Sequence, residues 1–376
     1  MTHLSDQYSG PSKMLPRTPG ATHRLHYRGE DGRTIEVEPT TYRPLGVDDL
    51  VATKVQKATA LLPLHFEAER ALVDGQLVEG RFACHAPIAF HQSLMVYALV
   101  DGGWLPPPMV MPPRLLVDRN VVSALASLRR PDAWPDAASF DWWMDLFGDV
   151  QVNPLLCALE GGHRSSPSYD EFVQEFEQAS AAISRDLPHA KLLRFAEPHF
   201  RAAYDFVMGL HRHSRPATAF LLQVAPILAP GVSTKDLRAV EEQLLTLARQ
   251  HGLATTSLSV VAALSCLYES NAATSLQVGR DLLKPAQLRS EADSYNVLAD
   301  LHAVEIALQS RRLAPGEAWH LCTRDRGLAG LWCGLQLGQV RETGATPEFV
   351  AKPTRALFPR LTEWGVARLS RRLLSG

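Results

Sequence analysis

Two short apolar runs, each followed by an aspartate, constrain the fold of this chain most strongly. The first run, R-L-L-V-D, covers 114–118 and ends in Asp118; the second, A-W-H-L-C-T at 318–323, is followed by Arg324 and Asp325. Runs of this kind are typical of strands buried in a parallel sheet. Helical patterns recur between them, at 172–183, 200–210, 235–250, 257–268 and 293–310. Strands that alternate with helices predict an α/β domain with a parallel sheet.

The chain before these runs has a different pattern. Residues 1–22, rich in Ser, Pro, Gly and Thr, are predicted to be a disordered tail. Alternating polar and apolar residues around the turn G-E-D-G predict a β-hairpin over 23–41, and we expect a helix over 48–72. We assign 23–105 to a small α+β domain of unknown role. The stretch 106–113 contains five prolines and is interpreted as a stiff linker.

The rest of the chain is assigned to one enlarged α/β domain and a basic end. The α/β domain is expected over 114–345, with a helical insertion at about 168–290. The C-terminal segment is 346–376, and its part from Lys352 to Gly376 carries six basic residues and one acid. Such a segment is either a strip that holds a nucleic-acid backbone or an amphipathic helix docked on its own domain. The candidates for nucleic-acid contact are Arg368, Arg371 and Arg372. The residues that the docked helix would bury are Trp364, Val366 and Leu369.

Composition excludes several classes of protein. The formal net charge is −2, so any nucleic-acid surface must be a local patch. The first residues contain no apolar core of a signal peptide, and no apolar stretch approaches the ~18 residues of a membrane span. The five cysteines are widely spaced and contain no C-x-x-C; we interpret them as reduced, mostly buried thiols rather than a zinc site. We therefore expect a soluble, cytoplasmic protein.

Two acids follow the predicted strands, and a third ends a helix. Asp118 and Asp325 would both lie at the carboxyl edge of the parallel sheet, which is where ligands bind in open α/β sheets. Glu160 closes a short predicted helix in N-P-L-L-C-A-L-E, in which Asn153 is a suitable N-cap and Pro154 a suitable first residue. These positions predict that the acids gather at one edge of the domain.

A fourth acid, Asp300, lies inside a helical pattern. Val297 and Val304 stand on the same predicted face, so the carboxylate points inward. A buried carboxylate needs a partner because burying a bare charge is expensive. A divalent cation shared with the other acids is the simplest such partner. Mg²⁺ and Mn²⁺ prefer carboxylate oxygens, and a metal of this kind activates water in phosphodiester hydrolysis.

These residues are also where the chain resembles a known family. The motifs V-D-R-N-V-V-S-A-L, N-P-L-L-C-A-L-E, A-D-L-H-A-V-E-I-A-L and C-T-R-D-R-G-L occur in the order of the acidic motifs of PIN domains. The resemblance implies a three-layer α/β/α domain and an Mg²⁺- or Mn²⁺-dependent endoribonuclease. By matched position it implies metal binding by Asp118, Glu160, Asp300 and Asp325, with supporting roles for Asn120 and Thr323. The resemblance covers roughly 114–345. It is discontinuous, because the second and third motifs are much farther apart in this chain than in a compact PIN domain.

Other interpretations of the same residues stay open. Asp118 suits the cap of the following helix, Glu160 suits a solvated helix end, and Asp325 suits a turn. Asp293 lies on nearly the same helical face as Asp300, but seven residues rise about 10 Å, too far to share one ion. Glu305 is expected on the surface. The H-R-H at 211–213 is interpreted as a surface patch, because alternate helical residues point apart.

Three functions follow from these interpretations. The first is a metal-dependent endonuclease that cleaves RNA. The second is a catalytically inactive PIN-like module that binds RNA or protein, with the N-terminal domain as a possible contact for a protein partner. The third is a phosphatase of the haloacid-dehalogenase type, which normally has a second Asp where this chain has Asn120. The sequence indicates neither the RNA target nor the oligomeric state.

Overall fold

The computed structural model describes residues 25–28, 32–55, 59–91, 95–110, 114–128, 150–160, 164–212, 214–272, 275–313, 319–337, 340–341, 348–349 and 352–375. The strands among these residues are β1 Leu25–Arg28, β2 Thr34–Tyr42, β3 Thr59–Val73, β4 Gln76–His91, β5 Tyr97–Val100, β6 Gly103–Leu105, β7 Arg114–Val117, β8 Gln151–Asn153, β9 Lys191–Leu192, β10 His320–Thr323, β11 Val340–Arg341 and β12 Glu348–Phe349. The helices are α1 Val47–Val55, α2 Arg119–Leu128, α3 Leu155–Glu160, α4 Tyr169–Asp186, α5 Glu197–Arg212, α6 Arg215–Leu228, α7 Leu237–Gln250, α8 Leu258–Leu267, α9 Val278–Leu283, α10 Glu291–Leu313, α11 Arg326–Gly334 and α12 Glu363–Ser375. The predicted tail, 1–22, lies outside the described residues.

A six-stranded sheet organises the larger part of the chain. Its order is β6-β5-β10-β7-β8-β9, with β10, β7, β8 and β9 parallel and the β5–β6 hairpin antiparallel at one edge. Both apolar runs of the sequence form strands of this sheet, β7 and β10, and they are direct neighbours in register. The prediction of an α/β fold with a parallel sheet is confirmed.

The sheet begins earlier in the chain than the sequence interpretation placed it. Residues 97–105, assigned above to the N-terminal domain, form β5 and β6, and β5 pairs with β10. Every side chain of these two strands is buried. Within 106–113, Met109 and Val110 are also buried, so this part of the proline-rich stretch packs against the core rather than forming a free linker. The domain boundary predicted at 106–113 therefore lies within the region that forms the six-stranded sheet.

The N-terminal region forms a separate antiparallel sheet in the order β1-β2-β3-β4. The hairpin predicted over 23–41 is confirmed as β1 and β2. The helix predicted over 48–72 is wrong beyond Val55, because 59–73 form strand β3. Alternate residues of β3, from Ala60 to Ala68, are buried, which is the period of a strand with one face on a core.

The long span between the second and third acidic motifs is mainly helical. Its first part, α4 and β9, extends the parallel sheet, since β9 pairs with β8. Helix α4 begins with a capping box in which the Ser168 and Glu171 side chains bond to each other's backbone N–H groups. Helices α5 to α9 follow, and α8 is buried along almost its whole length. The predicted helices of this span are confirmed, and Asp236 directly precedes α7.

The C-terminal segment is a docked amphipathic helix. Val366 and Leu369 of α12 are buried as predicted for that interpretation, whereas Trp364 is 67% exposed and its predicted burial is wrong. Arg368 Nη2 lies 2.9 Å from Glu241 Oε2, and Arg372 also pairs with Glu241. Glu241 is 1% exposed. Two of the three arginines named as candidates for nucleic-acid contact therefore hold the helix onto α7.

Two further expectations concern thiols and membranes. All five cysteines are free, and four of them are buried, as predicted. Among the described residues, none of the helices combines the length and the apolar character that crossing a membrane requires.

Candidate metal centre

The carboxyl ends of β7 and β10 bring two of the predicted site segments together. Because the strands are parallel neighbours, the residues that follow them emerge at the same edge of the sheet. The Asp118 N–H donates to Cys322 O at 3.0 Å, which extends the pairing one residue beyond β7. Asp118 and Thr323 therefore face each other across this edge, although they are 205 positions apart in the chain.

Asp118 is 3% exposed and accepts three hydrogen bonds from Thr323 and Asn120. Its Oδ2 accepts from Thr323 Oγ1 at 2.6 Å and from Asn120 Nδ2 at 2.7 Å, and its Oδ1 accepts from Asn120 N at 2.8 Å. A carboxylate has about four acceptor positions, so Oδ1 retains one. The bond to Asn120 N also caps α2, which means that the capping role considered above is real and coexists with a place in the site.

Thr323 and Asn120 form a bridge between the two strand ends. Thr323 Oγ1 accepts from Asp325 N at 3.0 Å while it donates to Asp118. Asn120 Oδ1 accepts from Arg324 N at 2.9 Å. The two residues named as supporting groups thus fix the orientation of Asp118, and Thr323 donates to Asp118 rather than to Asp325.

Glu160 reaches the same edge from the end of α3. Its helix starts beside β8, where Leu155 N donates to Asn153 Oδ1 at 3.0 Å, the N-cap expected from the sequence. Burial, then the charges of Asp118 and Asp300, then a hydrogen bond to Asp118, raise the pKa of Glu160 to about 9. Arg119 Nε, 3.8 Å from Glu160 Oε2, opposes this increase. Glu160 is therefore protonated at neutral pH and donates to Asp118.

Asp300 approaches from the middle of α10. Burial raises its pKa well above the ordinary value, and the charges of Asp325 and Asp118 raise it further, while Lys284 opposes the increase. Burial likewise raises the pKa of Asp118, and the charge of Asp325 adds to it, against the hydrogen bonds from Thr323 and Asn120. Each predicted acid thus lies within electrostatic reach of at least one of the others.

Asp325 precedes the helix that follows β10. It is half-buried at the start of α11, where its Oδ1 accepts from Leu328 N at 3.0 Å and caps the helix. The alternative structural role considered for it is thus present. Its charge still raises the pKa of Asp300 and of Asp118, so the same side chain belongs electrostatically to the acidic cluster.

The donor set of this cluster fits Mg²⁺ or Mn²⁺. Four carboxylates share one sheet edge, and burial together with neighbouring charge disfavours the ionisation of Asp118, Glu160 and Asp300. Hard divalent cations compensate such excess charge and accept carboxylate oxygens as ligands. Within the described ranges, however, no three Asp, Glu, His or Cys side chains stand close enough together to enclose an ion as they are. Enclosing an ion would therefore require side chains of this cluster to move closer together.

Three charged residues near this cluster were missed by the sequence reasoning. Asp281, on α9, is close enough to Asp325 for the charge of Asp325 to raise its pKa, after burial. Lys284 follows α9 in the left-handed backbone conformation, with φ of 46°. Arg119 pairs with Glu175 of α4 as well as with Glu160. Asp281 and Lys284 reach the site because α9 packs on α11, where a Cβ on Gly327 would lie 3.1 Å from Asp281 Cβ. The only sequence signal was that small residue, two positions after Asp325.

The rival residues have other contacts. Asp293 Oδ2 accepts from Arg289 N, Ser290 N and Ser290 Oγ at 2.8–3.1 Å, so it organises the start of α10. His211 is buried and stacks on Tyr295 with ring centroids 5.1 Å apart; the expectation of a surface patch is wrong for this residue. His213 lies outside the described residues. The side chain of Glu305 is 41% exposed and bonds to His302.

Comparison of the whole chain with protein-family models, with curated proteins and with solved structures returned no match.

Proposed function

We propose that this chain is a metal-dependent endoribonuclease with the layering of a PIN-like α/β/α domain. The observation that carries the proposal is the meeting of Asp118, Glu160, Asp300 and Asp325, from four separate segments, at the carboxyl edge of a parallel sheet. A structural role explains one carboxylate at a time, as a helix cap. It does not explain why Asp118, Glu160 and Asp300, whose pKa values are raised by burial and by neighbouring acids, lie together, because their mutual repulsion destabilises the fold.

The chain's own residues have distinct roles in this function. Asp118, Glu160, Asp300 and Asp325 would hold Mg²⁺ or Mn²⁺. Thr323 and Asn120 keep the Asp118 carboxylate in one orientation through the hydrogen bonds described above. The bound cation would supply an activated water and would neutralise charge on the scissile phosphate. The choice of RNA over DNA rests on the family resemblance.

The polypeptide also limits how the site is loaded. Glu160 donates a hydrogen bond to Asp118 and must release its proton before it can bind a cation. Arg119, paired with Glu175, lies on the other side of Glu160 and stabilises its ionised form. Loading the site is therefore coupled to the release of a proton and favoured by higher pH.

Cleavage of a labelled RNA pool in Mn²⁺ tests the proposal. The wild type and the Asp118→Asn, Asp300→Asn and Asp293→Asn variants are compared, with folding checked by circular dichroism. Asp293→Asn is the matched control, since it lies on the same helix but bonds to Arg289 and Ser290 at the start of α10 and pairs with Arg164. We expect cleavage by the wild type and the control, and loss of about 100-fold or more in the two site variants. Equal cleavage by all four proteins would contradict the proposal.

A second function has one specific observation in its favour. Since no three candidate ligands enclose an ion as they stand in the described part of the chain, the domain could serve as an inactive module that binds RNA or protein. Filter binding of the same RNA pool separates the two. RNA that is bound but left intact in Mn²⁺, with affinity unchanged in Asp118→Asn, supports the binding module.

A further inference from the structure

Outside the cluster of four acids, a serine, a histidine and a glutamate are joined by hydrogen bonds. Ser214 Oγ lies 2.7 Å from His302 Nε2, and His302 Nδ1 lies 2.9 Å from Glu305 Oε2. Ser214 directly precedes α6, whereas His302 and Glu305 are one turn apart on α10. The same order of groups, with a nucleophile on one ring nitrogen and a carboxylate on the other, activates serine in unrelated hydrolases.

With His302 neutral and Glu305 ionised, one arrangement of the protons joins the three side chains. An ionised glutamate can only accept, so the proton of a neutral His302 lies on Nδ1 and faces Glu305. Nε2 then carries the lone pair and accepts the hydroxyl proton of Ser214. Ser214 Oγ also lies 3.0 Å from Leu210 O, a longer contact than the one to His302. The alternative role of Ser214, a plain link to the preceding turn, depends on that longer contact.

A cavity stands in front of these residues. It has a volume of about 450 Å³ and is lined by Ser214, His302 and Glu305 together with leucines and Phe206. That volume lies in the range of small-molecule sites, about 300–1,000 Å³. His302 is buried, while Phe206 at the rim is 40% exposed, so the cavity meets solvent on the Phe206 side. The reactive pair therefore faces an apolar space that a small molecule can enter.

This cavity is distinct from the metal centre. Asp300 and His302 are two positions apart on α10, and two helical residues are about 200° apart around the axis. Asp300 is directed towards the acids, and His302 towards the cavity. His211, with its ring centroid 5.6 Å from that of His302, lies on the other side of the histidine.

We propose that Ser214, His302 and Glu305 form a second, hydrolytic site that cleaves small neutral carboxylic esters. Ser214 Oγ attacks the ester carbonyl carbon as its proton passes to His302 Nε2, and the leaving alkoxide departs with that proton. The resulting acyl-serine is cleaved by water, whose proton passes to Nε2 and returns to Ser214 as the carboxylic acid leaves. Ser214 and His302 are the catalytic residues, and Glu305 is a positioning residue that holds the ring in its reactive tautomer.

The lining of the cavity indicates the class of substrate. The apolar side chains of Leu253, Leu258, Leu298 and Leu301 favour a short aliphatic acyl group. Asp205 and Glu305 are the acids of the lining, and their charge disfavours an anionic substrate. A neutral ester with a short acyl chain, such as p-nitrophenyl butyrate, is the matching probe.

The test uses the full chain in EDTA, so that metal chemistry does not contribute. A fluorophosphonate probe, which phosphonylates activated serines, is applied to the wild type, and the modified peptide is mapped by mass spectrometry. We expect one phosphonyl group, on Ser214. Ser214→Ala should lose labelling and the hydrolysis of p-nitrophenyl butyrate, and His302→Gln should lose about 100-fold or more. Ser233→Ala, which changes an exposed serine before α7, is the control and should behave as wild type.

Glu305 is tested by a readout that a merely structural role would not change. Glu305→Gln should lower kcat for p-nitrophenyl butyrate by about 10-fold or more and leave KM unchanged, and Glu305→Asp should restore part of kcat. An unlabelled Ser214 in folded wild type, or labelling and hydrolysis that persist in Ser214→Ala, would overturn the proposal. The wild-type mapping decides the question even if a variant fails to fold, and it is independent of nuclease activity.

Discussion

Replacing Glu160 by glutamine tests whether the acids raise each other's pKa. Burial first, and then Asp118 and Asp300, raise the pKa of Glu160 from 4.5 to about 9. Because this folded-state pKa is higher than the unfolded one, the folded chain keeps a proton that the unfolded chain releases. The contribution of Glu160 to the free energy of unfolding is therefore fully present below pH 4.5 and is lost as the pH rises towards 9.

The size of the effect follows from that difference. The ordinary pKa of a glutamate lies about 2.5 pH units below pH 7, and each unit corresponds to about 1.36 kcal/mol. Glu160 therefore lowers the free energy of unfolding by at most about 3.4 kcal/mol at pH 7. The Glu160 side chain is 27% exposed, and solvent screens part of the repulsion. We therefore expect the wild type to lose about 1–3 kcal/mol through this residue between pH 5 and pH 8. Glutamine has the same shape without the charge.

Urea denaturation followed by circular dichroism, in EDTA at pH 5, 6, 7 and 8, measures this difference. The free energy of unfolding should fall less steeply with pH in Glu160→Gln than in the wild type, and the variant should be the more stable protein at pH 8. Glu291→Gln, an exposed position in the first turn of α10, should follow the wild-type curve. If the curve of Glu160→Gln has the same slope as the wild type, Glu160 does not share a buried site with the other acids.

Two further predictions concern packing. Glu241→Ala removes the buried acceptor of two arginines of α12 and should lower the free energy of unfolding by about 3–5 kcal/mol; a loss below about 1 kcal/mol in urea denaturation would show that α12 is held by its apolar face alone. Gly279→Ala places a Cβ 2.2 Å from Cys266 N and should destabilise by about 1–3 kcal/mol. At the helical Gly209, a Cβ meets nothing within 4 Å, and alanine should stabilise by about 0.5–1 kcal/mol. Thermal melts that rank these two variants in the opposite order would contradict the packing of α9 on α8.

The central parallel strands and their acids could be predicted because their signals are local. The runs that became β7 and β10 are apolar on both faces, and each is followed by an acid whose position is set by the end of the strand. Asn153 could likewise be identified as the cap of α3 from neighbouring residues alone, and the structure has that hydrogen bond. The long helices of the inserted region have clear periodicity, so their limits were correct to within a few residues.

Elements that depend on distant partners could not be predicted in this way. Strand β3 was mistaken for a helix because Leu61 is apolar yet 58% exposed, which hides the alternation of its neighbours. Strand β5 joins the sheet only through β10, more than two hundred positions later in the chain. Neither the strand character of β3 nor the pairing of β5 with β10 leaves a clear pattern in the local sequence.

The same limit applies to the sites. The contribution of Lys284 requires α9 to pack beside α11, and the Ser214–His302 contact joins residues 88 positions apart. The sequence placed Glu305 on the surface, and its side chain is indeed partly exposed. Its bond to His302, however, depends on the orientation of the histidine ring, and packing against α6 determines that orientation. Spacing along one helix could not have indicated the serine.

Mn²⁺ binding measured by isothermal titration calorimetry tests most directly whether the four acids form one metal centre. The wild type and Asp293→Asn should each bind one ion at the same affinity at pH 8. Asp300→Asn should bind about 10-fold more weakly or not at all, since it removes one of the four proposed carboxylate ligands. Equal affinity in all three proteins, or no binding by the folded wild type, would contradict the account.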